Sequence, residues 1–200
     1  MPEDQQKLFN RADHANLGRD WENELSAVHD WYRLSGKADI VKNPSDWVFI
    51  SNNDYQKKSS KYALSMFALT DSGTRLMRSR SDVDFSGGGK GFSICFDAKS
   101  SKGKLFPLSN VSPHQIARLK QSARCGTIAG FMIRMKDLDR VFFCPVAYMD
   151  SRFTKWQRQS GKRVKAGIAS LSIDDLTNLT VEIARHRTNG LWDYLPRLVS

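Results

Sequence analysis

The sequence predicts an α/β fold in which helices flank a central mixed sheet. Three observations predict it. Apolar residues recur at three- and four-residue steps over 16–35, whereas "TIAGFMIRM" and "RVFFCPVAYM" are apolar runs of strand character joined by the turn "KDLD". Between these regions, "SPHQIARLKQSARCG" carries a Ser-Pro helix start and a glycine stop. The resulting order is helix, strand, excursion, strand, strand, helix, strand, strand, helix. A single domain of 200 residues is long enough to bury a real core around it.

Residues 1–15 are polar and mixed in charge, and read as a flexible lead-in rather than a secretory signal. In the helix that follows, Leu17, Trp21, Leu25, Val28 and Tyr32 form one stripe. Glu22 sits beside that stripe, placed either to lean over a neighbouring sheet or to meet water. "ADIVKNP" is a short first strand closed by Pro44. From 45 to 80 the alternation weakens and polar gaps open, so this stretch is an excursion from the core. It carries Lys57, Lys58, Lys61, Arg75, Arg78 and Arg80, with Trp47, Tyr55, Tyr62 and Phe67 interleaved. That mixture suits phosphate neutralisation and base stacking, and equally suits an ordinary hairpin whose aromatics pack on each other.

The next stretch, "DVDFSGGGKGFSICFDAKS" (82–100), sets two phenylalanine-containing runs around a glycine-rich middle. A hairpin turning between Lys90 and Gly91 places Phe85 opposite Phe96 and Val83 opposite Ala98, on one apolar face. The other face then opposes Asp84 to Asp97 and Asp82 to Lys99. Like charges directly opposed destabilise a sheet, so two facing aspartates call for a reason. A hard divalent cation such as Mg²⁺ is one, held by the two carboxylates with phosphate and water; a solvated face with the acids apart is the other.

After this hairpin, Ser112 and Pro113 open a helix with Ile116, Leu119 and Ala123 inward, and Gly126 ends it. His114 and Gln115 fall in its first turn, where side chains can reach a ligand. The run "SRFTKWQRQSGKRVKAG" within 151–167 holds six basic residues and no acid, including Lys155, Arg158, Lys162 and Arg163, and reads as a basic loop. "SIDDLTNLTVEIARHR" closes the pattern as a capped helix.

Charge narrows the function. The formal net charge is +10 and the pI is near 9.7, and no apolar run is long enough to span a bilayer. Such a balance attracts phosphate polymers or anionic membranes, and without a spanning run nucleic acid is the favoured partner. Cys95, Cys125 and Cys144 form neither a C-x-x-C pair nor an even framework, so reduced thiols in a cytoplasmic protein are expected. The four histidines are scattered, and the spacing makes no zinc site.

Asp84 followed by Asp97-Ala98-Lys99 resembles the D…(D/E)-x-K pattern of the PD-(D/E)XK nuclease superfamily. A closer likeness, from about Asn16 to Met149, is to RecU-type Holliday junction resolvases. "NLGRDWENEL" resembles their N-R-G-x-x-x-E helix, with Glu22 at the acidic position, and "VKNP" resembles the end of their first strand. "DVDF" is similar to T-D-Y, "FDAK" to E-A-K, and "LFPLSNVSPHQI" to F-P-L…H-Q-I. Three departures stand out: Asp82 replaces threonine, Asp97 replaces glutamate, and "NLG" replaces N-R-G.

The resemblance implies a restriction-endonuclease-like core, with residues 45–80 as a protruding stalk inserted between the first two core strands. It implies metal contacts from Asp82, Asp84, Asp97 and Gln115, with Mg²⁺ (or Mn²⁺) as cofactor. Lys99 is then the transition-state stabiliser and Glu22 a further acidic member of the site. It implies a homodimer that cuts four-way DNA junctions, with the stalk and the basic loop holding DNA. Two other readings stay open on the residues: another PD-(D/E)XK nuclease cutting branched or duplex DNA, and a DNA-binding recombination factor without activity.

Overall fold

The computed structural model describes residues 3–44, 47–51, 53, 56, 67–69, 75–78, 83–159 and 168–199; within 3–17, 47–49, 67–69 and 75–78 it describes the backbone alone. The elements are helix α1 (Glu3–Leu34), β1 (Asp39–Lys42), β2 (Trp47–Phe49), β3 (Phe67–Leu69), β4 (Arg75–Arg78), β5 (Phe85–Gly89), β6 (Phe92–Ser101) and β7 (Leu105–Pro107). They continue with α2 (Pro113–Arg124), β8 (Ile128–Met135), β9 (Arg140–Pro145), α3 (Val146–Gln159), β10 (Ser170–Ser172), α4 (Ile173–Leu179), β11 (Val181–Ile183) and α5 (Leu195–Leu198). The chain divides into two compact units, Met1–Lys42 with Val83–Ser200, and Asn43–Asp82.

The larger unit holds a six-stranded sheet in the order β1-β5-β6-β8-β9-β11. Only β6 and β8 run parallel, and the connection between them contains α2; every other neighbouring pair is antiparallel, so the sheet is mixed. Strand alternation sends side chains to two apolar layers. Phe131, Ile133 and Met135 of β8 join Cys95, Phe142 and Cys144 beneath Ile116 and Leu119 of α2, Val146, Met149 and Phe153 of α3 and Leu176 of α4. On the opposite face Ile40, Phe85, Ile94, Phe96, Met132, Val141 and Phe143 meet the fully buried stripe Trp21, Leu25, Val28 and Tyr32 of α1. Each large apolar side chain so buried stabilises the fold by roughly 1.5–3 kcal/mol. The indole of Trp21 donates to the carbonyl of Met132 at 3.1 Å, fixing the height of α1 over the sheet.

The hairpin forms in the expected register, Phe85 opposite Phe96 through Gly89 opposite Phe92. Gly91, at φ +80°, supplies the left-handed turn residue. At Gly87 a Cβ would stand 2.1 Å from the carbonyl oxygen of Asp39, so β1 lies against β5 only because that position lacks a side chain. The ladder stops at Phe85, however. Val83 therefore joins the α2-side layer with Cys95 instead of lying beside Phe85, and Asp84 is no rung partner of Asp97.

Four segments differ from expectation. Helix α1 begins at Glu3 in place of a flexible lead-in over 1–15; residues 3–17 contain no glycine or proline to stop it. Residues 151–159 of the expected basic loop are helical, because Val146, Met149 and Phe153 give α3 a buried stripe that reaches past Met149. The same helix claims Val146–Met149, which read as strand. Ser172 caps α4 through a capping box with Asp175, but the helix ends at Leu179 and Val181–Ile183 become an edge strand on β9. There Glu182 accepts two bonds from Arg140, both at 2.7 Å, an inter-strand pairing that local pattern does not reveal.

The smaller unit contains a three-stranded antiparallel sheet in the order β2-β4-β3, with Val48 and Phe67 both opposite Met77. Its place in the chain is between β1 and β5, which are themselves neighbours in the main sheet.

A polar and aromatic knot ties the C-terminal segment to α1. The Tyr32 hydroxyl donates to Asp193 at 2.9 Å and accepts the N–H groups of Tyr194 and Leu195 at 2.9 and 3.2 Å. His29 lies 2.8 Å from the Tyr194 hydroxyl, with its ring edge-on to Phe85 and Phe96. Burial, assisted by the Arg33 charge, lowers the His29 pKa to about 3. The unfolded chain therefore binds a proton near pH 6.5 that the folded chain refuses until about pH 3, and stability declines as pH falls through that window. We expect His29→Gln to flatten the acid side of the stability curve. Between pH 6.5 and 5, wild type should lose about 2 kcal/mol more than the variant in denaturant titrations, at roughly 1.4 kcal/mol per pH unit. Parallel curves would show that His29 is protonated in the fold.

Candidate active site

The end of the β5–β6 ladder brings two carboxylates together inside the larger unit. Asp97 projects from β6 on the same face as Cys95 and is fully buried. Asp84 lies one residue before β5, and its Oδ2 accepts the Ala98 N–H at 2.8 Å, a donor that the interrupted ladder leaves free. Lys99, two residues along β6 from Asp97, sets its Nζ 2.5 Å from Asp97 Oδ2, with its side chain 18% exposed. Although that oxygen faces the ammonium, it makes no aligned hydrogen bond.

The third contact comes from α2. Ser112 is the N-cap, with its hydroxyl accepting from the Gln115 N–H at 3.4 Å, while the Ser112 N–H donates to Gln115 Oε1 at 3.1 Å. This reciprocal capping box commits the amide oxygen, so Nε2 is the end that points to Asp97, donating to Oδ1 at 2.6 Å. A helix-capping residue thus doubles as a carboxylate donor. Nothing in the Ser-Pro-His-Gln string announces that second role, which needs α2 to return over β6.

Glu22 reaches the same neighbourhood from α1. Its Oε2 lies 2.7 Å from Lys42 Nζ at the end of β1, and its charge raises the pKa of both Asp84 and Asp97. For Asp84, burial is the largest cause and the Asp97 charge the second; together they outweigh the Ala98 N–H and Lys99 and push the pKa up to about 7. Asp97 is likewise raised, by burial first, against the pull of Lys99. One fully buried and one half-buried acid that resist joint ionisation, faced by one lysine, leave hard oxygen atoms short of positive charge.

That donor set fits a hard divalent cation of the kind held by one or two carboxylates plus phosphate and water. Among the described residues, no group of three or more His, Cys, Asp or Glu side chains forms a metal-holding cluster; Asp84 and Asp97 are the two that meet directly, with Glu22 near them. Of the other sequence-predicted residues, Asp82, Lys57, Lys58, Lys61, Arg80, Lys162 and Arg163 lie outside the described residues. Phe67, Arg75 and Arg78 are placed by backbone, on β3 and β4. Lys155 and Arg158 sit on α3, where they line an open depression with Asp150, Ser151, Thr154 and Gln159.

Comparison with known proteins gives the site its context. The family described as "RecU: Recombination protein U" matches residues 16–198. The chain belongs to the RecU family. A relative named Holliday junction resolvase RecU from Geobacillus kaustophilus is 31% identical over 153 residues, covering 76% of this chain and 71% of the relative. Its namesakes from Staphylococcus epidermidis and Staphylococcus aureus are 30% and 28% identical over 191 and 194 residues. These two cover 93% and 95% of this chain, and 78% and 80% of their own lengths. The likeness therefore runs through the site and on to the C-terminal segment, beyond the stretch from Asn16 to Met149 on which the motifs lie.

The electrostatics make a test of Lys99. A carboxyl whose folded pKa is raised contributes stability present below its unfolded pKa and lost as pH rises through the folded value. Removing the nearby ammonium raises Asp84 and Asp97 further, extending that loss to higher pH. Lys99→Met should therefore melt close to wild type at pH 5.5 and clearly below it at pH 8.5, in calorimetry without added metal. An equal difference at both pH values would mean that Lys99 does not compensate the pair.

Proposed function

We propose that this protein is a structure-selective endodeoxyribonuclease that resolves four-way DNA junctions by paired nicks, acting as a cytoplasmic homodimer in recombination and repair. The observation that carries the reading is the meeting of Asp84, Asp97, Lys99 and Gln115 in a chain of the RecU family, whose relatives are named for Holliday junction resolution. The succession α1, β1, β5, β6, α2, β8 supports a restriction-endonuclease-like core, and residues 45–80 are read as its stalk. Asp84 and Asp97 would hold Mg²⁺ or Mn²⁺, with Asp82 and Gln115 assigned by the family pattern. When bound, the cation supplies Lewis acidity toward the scissile phosphate and acidifies a water.

The chain's own residues do the rest. Lys99 steadies the attacking water or the charge that develops on the phosphate oxygens. Gln115 holds Asp97 Oδ1, so that Oδ2 is the oxygen turned toward Lys99. The Ala98 N–H fixes one Asp84 oxygen in the same way. Glu22 adds negative charge that favours a cation between the aspartates. Water attacks phosphorus in line with the departing oxygen, leaving 5′-phosphate and 3′-hydroxyl ends. Two-fold related nicks need two such sites, which a C₂ dimer provides.

A labelled four-way junction incubated with Mg²⁺ or with EDTA tests this. Cleavage should occur with the metal alone, and Asp84→Asn and Asp97→Asn should each lower it by at least about two orders of magnitude while junction binding persists. Wild-type turnover by either variant would remove the assignment. Mixed dimers with one Asp97→Asn chain should nick a single strand; paired nicks from such dimers would overturn the two-site scheme.

A further inference from the structure

Beyond the carboxylate site, the segment joining β11 to α5 builds a second, cationic concavity. It is lined by Ala184, Arg185, His186, Arg187, Thr188, Asp193, Pro196 and Arg197. Its geometry is fixed rather than incidental. Arg185 and Trp192 form an isolated bridge, His186 and Leu191 are joined by a 2.6 Å backbone bond, and Gly190 turns the segment at φ +70°. The His186 ring rests 4.8 Å from Trp31, whose other contacts include the Lys37 ammonium 4.0 Å from its ring centroid.

The charges divide into engaged and available. Arg185 is committed: it pairs with Asp139 at 2.8 Å, donates to the Gly190 carbonyl and stacks on Trp192 at 4.1 Å. Asp193 is turned inward, accepting from Tyr32 and lying 4.0 Å from Lys37, with its side chain only 13% exposed. Arg187 and Arg197 are exposed, and among the described residues neither has an ion-pair partner or an acceptor. His186 Nδ1 accepts the Thr188 N–H at 3.4 Å, which leaves Nε2 as the other polar atom of the ring.

We infer that this concavity is a second DNA-contact site that takes backbone phosphates through Arg187, Arg197 and His186. The guanidinium fork matches phosphate geometry, and two exposed arginines without acidic partners on one concave face suit a polyanionic backbone. None of its residues belongs to the Asp84–Asp97 cluster. The site therefore positions DNA and takes no part in the chemistry. Placing an anchor here rests on the reading of the protein as DNA-binding, and it adds a contact from the C-terminal segment to those expected of 45–80 and 151–167.

Salt titration of binding tests it. Equilibrium binding of the full chain is measured against salt on a four-way junction and on a plain duplex, for wild type and for Arg187→Gln/Arg197→Gln. Each lost phosphate contact reduces the slope of log K against log salt by about 0.9, so the double variant should bind weakly and lose about 2 from the slope on at least one DNA. An unchanged slope overturns the proposal, whether or not affinity changes, because affinity lost without a slope change is not loss of phosphate contacts. An unchanged melting temperature of the variant shows that the fold is intact. If wild type fails to cleave the junction yet the duplex slope responds to the variant, the resolvase reading falls while this site stands.

Discussion

Holding two carboxylates together, one of them fully buried, is the constraint on which the rest of this structure depends. The Asp97 charge disfavours ionisation of Asp84, a side-chain hydrogen bond with Asp84 offsets part of the cost for Asp97, and burial penalises both. Each surrounding element supplies part of the compensation: β6 gives the Ala98 N–H and Lys99, α2 gives Gln115, and the interrupted ladder gives Asp84 its position. What remains uncompensated is the property that a cation can use. A site fully satisfied by protein donors would be stable and inert.

The apolar framework serves that arrangement. Only the parallel pairing of β6 with β8 requires a crossover, and the crossover contains the helix whose first turn reaches back to Asp97. The α1 face has a different task. Trp21 locks the helix to β8, and one helical residue further Glu22 comes near the aspartates, so a core contact sets the reach of a charged one.

Much of this was legible in the sequence because the signals were local. The Lys90-Gly91 turn fixed Phe85 against Phe96, the stripe from Trp21 to Tyr32 marked α1, and Ser112-Pro113 marked the start of α2. What was not legible depends on partners far along the chain. Val181–Ile183 continue a helical-looking run, yet pair with β9, where Ile183 is buried in the α1-side layer and Glu182 meets Arg140. Val83 alternates correctly with Phe85 on paper, but the strand ends between them. The Gln115 contact with Asp97 and the closure of Tyr32 on Asp193 span 18 and 161 residues, and no periodicity reports such meetings.

The insertion leaves and re-enters the main sheet at two adjoining strands, directly after Lys42 and directly before Val83. Its two tethers therefore end beside the carboxylate pair: Lys42 pairs with Glu22, and Asp84 follows Val83. Closing a longer loop between fixed points costs free energy only as the logarithm of its length. The length of the segment between these two points therefore weighs little on the folding of the main sheet. Variation at its roots, by contrast, falls on the residues next to Glu22's partner and to the carboxylates.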